Sequence, residues 1–313
     1  MGKTVHLECR SGISGDMLVG TLLALGADAG DLTKALESIP ARGFMIKISQ
    51  VEKHGKNCTD FDVILDRDHE NHDHDMEYLH GHPDDAPLAV DDKGIVKLAQ
   101  NDPAQDASDA EIKTVEPHHH VPGSADVHGH GHAVQKKEHI HRSLSDVMTI
   151  INASSASKKA KSIAENIFTV LAQAESEVHD VPLEKVHFHE VGAIDSIVDI
   201  LAIAVCIDNL DVERVVVTSL SDGSGTVRTQ HGILPVPVPA VNNIVLRYDI
   251  PLEITDVKGE MVTPTGAAAV AALRTDGQLP GTYRVLKEGF GSGKRNYDAP
   301  CYLRAGIIEP DRW

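Results

Sequence analysis

The chain has 313 residues, with 29 lysines and arginines against 47 aspartates and glutamates, a formal charge of −18. That length supports one large or two ordinary domains with a real core, and the acidic balance argues against a nucleic-acid partner, which asks for a basic face. No run of about 18 apolar residues occurs, so no membrane span is expected, and the first ten residues lead into a strand pattern without an apolar signal core, as in a cytoplasmic protein.

Residues 1–65 read as a small α/β lobe. Val5 and Leu7 alternate with His6 and Glu8, a strand period. A Gly/Ser turn follows, and Met17, Leu18, Leu22 and Leu25 recur at helical spacing. Residues 44–51 and 61–65 predict two further strands, with Gly55 between them. Residues 66–141 have another character: they hold 13 of the 19 histidines and carry −11 of the −18 charge. Large apolar side chains are too sparse there to offset the entropy of ordering, so a disordered His/Asp-rich metal-binding insert is expected. A short helix near 90–100 is compatible with the pattern.

Residues 142–313 predict a larger α/β domain. Helices are expected over 143–151, 158–179, 196–210, 239–246 and 264–274. The third is apolar nearly all round, and Thr263 is placed to cap the last. Strands are expected over 215–217, 283–289 and 302–308. The elements alternate without a repeating βαβ period, so the fold class is α/β or mixed α+β, as two lobes around the insert. Cys9, Cys58, Cys206 and Cys301 are far apart, form no CxxC pair and suggest no disulfide framework.

Four stretches can carry chemistry. In the turn 11–16, Ser11, Gly12, Ser14 and Gly15 offer backbone N–H groups to an anion at a helix start, with Asp16 in the first turn. The bland alternative is a tight turn with Ser14 as helix cap. In the segment 186–199, an extended backbone puts His187 and His189 on one face, and Glu190, Asp195 and Asp199 can complete a metal shell suited to nickel or zinc. Asp195 is equally placed to cap the helix after it. Ser221, Gly223 and Ser224 form a Ser/Gly turn that reads as a nest or as a plain hairpin loop, and the Pro-rich run beyond it holds His231 in place. Thr263, Thr265 and Gly266 open a helix and can bind an anion or simply cap it. Lys294 and Arg295 end a Gly-rich turn and can supply counter-charge. Within the insert, His118, His119, His120, His128, His130 and His132 make loose Ni²⁺, Zn²⁺ or Cu²⁺ sites.

Taken in order, CRSGISGDM, the His-rich insert, VHFHEVGAIDSIVDI, LSDGSG, HGILPVPVPA, GEMVTPTGAA and GFGSGKR resemble the LarC family of nickel-insertion proteins. These blocks run from residue 9 to 295. The resemblance implies a nickel chelatase of the lyase class that inserts Ni²⁺ into pyridinium-3,5-bisthiocarboxylic acid mononucleotide, with CTP hydrolysis and Mg²⁺ or Mn²⁺. Its product is the nickel-pincer cofactor of lactate racemase. The resemblance also implies a homo-oligomer and a C-terminal region tied to CTP; this chain stops at Trp313, short of that region, so a split protein is one expectation. A carbon–nickel bond at the ring requires loss of a ring proton, for which Glu190 and His231 are the candidates, with Asp16 as a further catalytic carboxylate. The competing reading is a nickel storage or delivery chaperone acting through the His-rich tract.

Overall fold

The computed structural model describes residues 2–65, 89–90, 96–97, 142–188, 194–229 and 232–311. Strand β1 (Lys3–Glu8) buries Val5 and Leu7 on one face, as their alternation predicts. Helices α1 (Gly15–Ala24) and α2 (Ala29–Glu37) follow, then the hairpin β2 (Phe44–Lys53) and β3 (Lys56–Leu65). Two-residue strands β4 (Ala89–Val90) and β5 (Val96–Lys97) pair antiparallel, with Val90 opposite Val96 in the register, where the pattern allows a helix. The rest of the insert, with its expected disorder and its loose histidine sites, lies outside the described residues.

Strand β6 (Arg142–Ser143) leads into α3 (Leu144–Ala153). A capping box starts this helix: Asp146 N donates to Ser143 Oγ at 3.2 Å, and Ser143 N donates to Asp146 Oδ2 at 2.9 Å. Next come α4 (Lys158–His179), β7 (His187–Phe188), α5 (Ile194–Asn209), β8 (Val212–Val216), β9 (Leu220–Thr229) and β10 (Gly232–Val236). The described chain closes with α6 (Pro239–Arg247), β11 (Leu252–Lys258), α7 (Pro264–Leu273), β12 (Tyr283–Ser292) and β13 (Tyr302–Pro310).

The fold is mixed α/β, as expected. Residues 2–65 and the segment after 141, read from the sequence as two lobes, meet in one six-stranded sheet ordered β2-β3-β12-β13-β1-β8. Strand β1 is the reason. Its backbone needs partners on both edges, and β13 (antiparallel) and β8 (parallel) supply them. Helix α1 covers β3, β12 and β13, α5 packs on α1, and α4 packs behind α5 against α6 and α7. The apolar run of α5 is buried on all sides, from Ile197 to Ile207.

The segment 220–226 is not a turn. It forms the first part of β9, the middle strand of a three-stranded sheet β10-β9-β11. Its glycine serves close packing: a Cβ at Gly223 would lie 2.0 Å from Gly259 O. All four cysteines are buried and free, and burial pushes the Cys9 and Cys206 thiols up to about 12, which makes them poor metal ligands. Among the described residues no helix is long and apolar enough to cross a membrane.

Candidate functional site

The start of α1 is built by backbone stitching. Ile13 N donates to Met261 O at 2.9 Å, and Thr263 N donates to Ile13 O at 3.0 Å. The two strips come this close because Gly12 and Gly266 lack side chains; a Cβ would lie 2.0 Å from Met261 O and 2.3 Å from Ile13 O respectively. Asp222 clamps the same loop from below. Its Oδ1 accepts from Gly223 N, Met261 N and Val262 N at 2.7, 2.8 and 3.0 Å, while Oδ2 is buried without a hydrogen-bond partner among the described residues. Burial holds the Asp222 carboxyl above the usual range, against the pull of those three donors.

Ser14 occupies the N-cap position of α1 but does not cap it. Its hydroxyl donates instead to Asp16 Oδ1, which also accepts from Met17 N at 2.8 Å. Asp195 does not cap α5 either: it sits inside the first turn and accepts from Ser196 N at 2.8 Å. Thr263 does cap α7, accepting from Gly266 N at 3.1 Å.

Asp16, Asp195 and Asp199 gather where α1 and α5 begin. A Cβ at Gly15 would lie 2.6 Å from Asp199 Oδ2. Asp60 and Asp62 of β3 and Lys294, two residues past β12, join the electrostatic cluster. Burial holds Asp199 well above the usual carboxylate range; Asp16, Asp195 and Asp62 push the same way, and Lys294 opposes them. Asp195 is raised first by burial as well, and Asp60 by burial and then by Asp16 and Asp62. Asp199 Oδ1 is shut off from solvent without a hydrogen-bond partner among the described residues. Lys294 Nζ sits 2.8 Å from Asp62 Oδ1; burial works against its charge, and Asp62 and Asp16 outweigh that, holding it above the usual lysine range.

The other sequence candidates scatter. Ser221 donates to Glu253 Oε2 at 3.4 Å, and Ser224 donates to Val257 O at 3.3 Å. Thr265 is buried in the first turn of α7. Arg295 reaches Glu260, with Nη2 2.8 Å from Oε2, so both cations expected as free counter-charge already face carboxylates. His187 lies in β7, its backbone paired with Ser143, and Phe188 beside it is buried against Phe168. His189, Glu190 and His231 lie outside the described residues. Among the described residues no three His, Cys, Asp or Glu side chains converge closely enough to hold a metal ion. The sequence reading missed Asp60 and Asp62. Their signal was the alternation in Thr59-Asp60-Phe61-Asp62-Val63, which passes for the polar face of any strand.

No solved structure matches the chain. A protein of Alkaliphilus metalliredigens named "Pyridinium-3,5-bisthiocarboxylic acid mononucleotide nickel insertion protein" is 41% identical over 312 residues, covering 100% of this chain and 62% of the relative. Proteins of the same name from Acetivibrio thermocellus and Geobacillus kaustophilus are 32% and 31% identical over 94% and 99% of this chain. The chain covers 57% and 61% of those two, and so spans about three fifths of the length of the curated relatives it matches. The family described as "Nickel insertion protein" matches residues 5–312, and this chain belongs to it.

Proposed function

We propose that the chain inserts nickel into pyridinium-3,5-bisthiocarboxylic acid mononucleotide, with Ni²⁺ as cargo rather than resident cofactor. The observation that carries this reading is the carboxylate cluster. Burial, and then the nearby charge of Asp16, holds Asp60, Asp195 and Asp199 above the usual carboxylate range; Asp62 adds to this at Asp60 and Asp199, and Lys294 opposes it at all three. A divalent cation relieves that repulsion. The aspartates alone do not converge on one point, so the shell draws on His187, His189 and Glu190, from the segment just ahead of α5, and on the sulfurs of the organic substrate. A partial His/carboxylate shell suits a metal that is handed on, since a closed tetrathiolate site would keep it.

Insertion makes a carbon–nickel bond and releases a ring proton. Asp199, held neutral by burial and neighbouring carboxylates, gives up its proton to solvent when a divalent cation offsets that negative charge, and is then placed to take the ring proton, alongside Glu190 and His231. The N-termini of α1 and α7, with Ser11, Thr263, Thr265 and Gly266, suit the thiocarboxylates of the substrate beside the nickel. On this reading CTP hydrolysis with Mg²⁺ or Mn²⁺, and homo-oligomer formation, belong to a C-terminal region supplied with this chain or separately. The finished cofactor passes to lactate racemase in the cytoplasm.

The test is cofactor maturation with the His-rich insert intact, followed by mass spectrometry of the nickel product. His187→Ala with His189→Ala should cut insertion about tenfold or more, with the melting temperature unchanged. Full activity in that double variant would show that nickel passes elsewhere. A second reading, nickel storage or delivery, is favoured by the 13 histidines between residues 66 and 141; it predicts that removing them abolishes function even at saturating nickel.

A further inference from the structure

The sheet face opposite α1 holds a cleft that none of the sequence candidates except Ser11 touches. Gly289 and Gly291 of β12 press their backbones against α1, where a Cβ would lie 2.8 Å from Thr21 O and 2.1 Å from Met17 O. Strand alternation therefore turns Phe290 to the other face, into an open cleft of about 580 Å³, a size that suits a small-molecule ligand.

Phe290 and Tyr302 meet there edge to face, with ring centroids 5.6 Å apart and planes at 79°. Lys56 Nζ lies 5.5 Å from the Phe290 centroid, so this aromatic face already attracts a cation. On the floor, Arg304 is held by Glu8 at 2.8 and 2.9 Å and by Glu288. Arg10 and Lys56 on the rim are exposed and have no carboxylate partner among the described residues. The lining thus carries three cations against two carboxylates in a chain whose net charge is −18.

We infer that this cleft seats a pyridinium mononucleotide: the cationic ring on the Phe290–Tyr302 pair, and the phosphate on Arg10 and Lys56. Naming the ligand as a mononucleotide rests on the function proposed above; the pairing of an aromatic wall with two exposed cations is independent of it. A positively charged ring gains from the negative face of Phe290 what a neutral pyrimidine does not, so the seat discriminates between pyridinium and cytidine nucleotides. Ser11 lines the cleft and Asp16 lies five residues on, so their Cα atoms are at most about 19 Å apart. One short turn thus serves both the proposed ring seat and the carboxylate cluster.

The experiment is titration calorimetry on the full chain with nicotinic acid mononucleotide as probe and cytidine triphosphate as comparator. Saturable binding of the pyridinium probe is expected. Arg10→Ala and Phe290→Leu should each weaken it at least tenfold, with thermal melts verifying the fold and Ni²⁺ stoichiometry unchanged. No saturable binding, or equal affinity in both variants, would overturn the assignment. Cytidine triphosphate binding as tightly, with the same sensitivity to Phe290→Leu, would overturn the selectivity for a charged ring. Because Ni²⁺ binding is read separately, failure of the nickel-insertion reading and failure of the ring seat give different results.

Discussion

Gly12 has φ +80° and no space for a side chain, with Met261 O where a Cβ would go. Gly225 has φ +95° but open surroundings, its nearest neighbour being Lys258 Cδ at 3.8 Å. The two separate strain from clash. Gly12→Ala should cost on the order of 3 kcal/mol or more, since the backbone of the 259–263 loop has to move. Gly225→Ala should cost about 1 kcal/mol. Urea unfolding of both variants checks this, and equal losses would mean that the packing of turn 11–15 on that loop is softer than described. The sequence motif marked Gly12 for an anion; its close contact with the backbone of Met261, far along the chain, explains it as well. A second residue test concerns His6, 7% exposed on β1 opposite Gly306. Burial lowers its pKa below 6.5, more than Glu8 raises it. The unfolded chain then binds the extra proton first, so stability falls as pH drops from about 6.5 toward the folded-state value. Between pH 7.5 and 5, His6→Gln should lose less stability than the parent, by on the order of 1 kcal/mol.

Helices with strong signals were legible from the sequence: α4 by its apolar stripe, α5 by its unbroken apolar run, α7 by Thr263 and Pro264. Among the elements that were not, three are informative. Helix α2 buries only Leu32, Ala35 and Leu36, too few for a visible period. Strand β9 opens with Leu-Ser-Asp-Gly-Ser-Gly, residue types that favour turns, and is held extended by β10 and β11 on either side. Strand β11 is mostly exposed, so its alternation carries little contrast. Helix α5 also sets function against stability. Leu201 is fully buried, and Leu201→Ala should cost about 2–5 kcal/mol. Asp199, two residues earlier, should behave in the opposite way. Its folded pKa is raised, so its contribution favours folding below the unfolded carboxylate value of about 3.9 and is lost as pH rises through the folded value. Asp199→Asn should therefore stabilise the metal-free chain at pH 7 by about 1 kcal/mol, lose that advantage in acid, and bind Ni²⁺ more weakly. Destabilisation at pH 7 would place Asp199 in the packing rather than in metal handling.

At the scale of the molecule, the sequence separates two folded stretches by their composition, and the sheet joins them. Thr4 pairs with Ile308 and Glu8 with Arg304, a register that no local pattern encodes. Nor can local pattern reveal that the aspartates of β3 meet those of α1 and α5, since that depends on β3 lying beside β12. The shared sheet has a consequence for residues 66–141. Since β3 and β12 pair directly, and β1 lies between β13 and β8, the fold does not need the insert as a structural bridge. Replacing residues 66–141 by a flexible Gly/Ser linker of about twenty residues, long enough on average to span about 25 Å, should leave one cooperative unfolding transition. Nickel capacity should drop with the loss of 13 histidines, and a smaller number of tighter sites should remain. Calorimetry with Ni²⁺ on the shortened chain decides between the two readings of function. Residual tight binding with insertion preserved at saturating nickel is the outcome expected of an inserting enzyme whose histidine tract collects metal. Loss of all nickel binding, with folding intact, would move the working part of the protein into the tract itself.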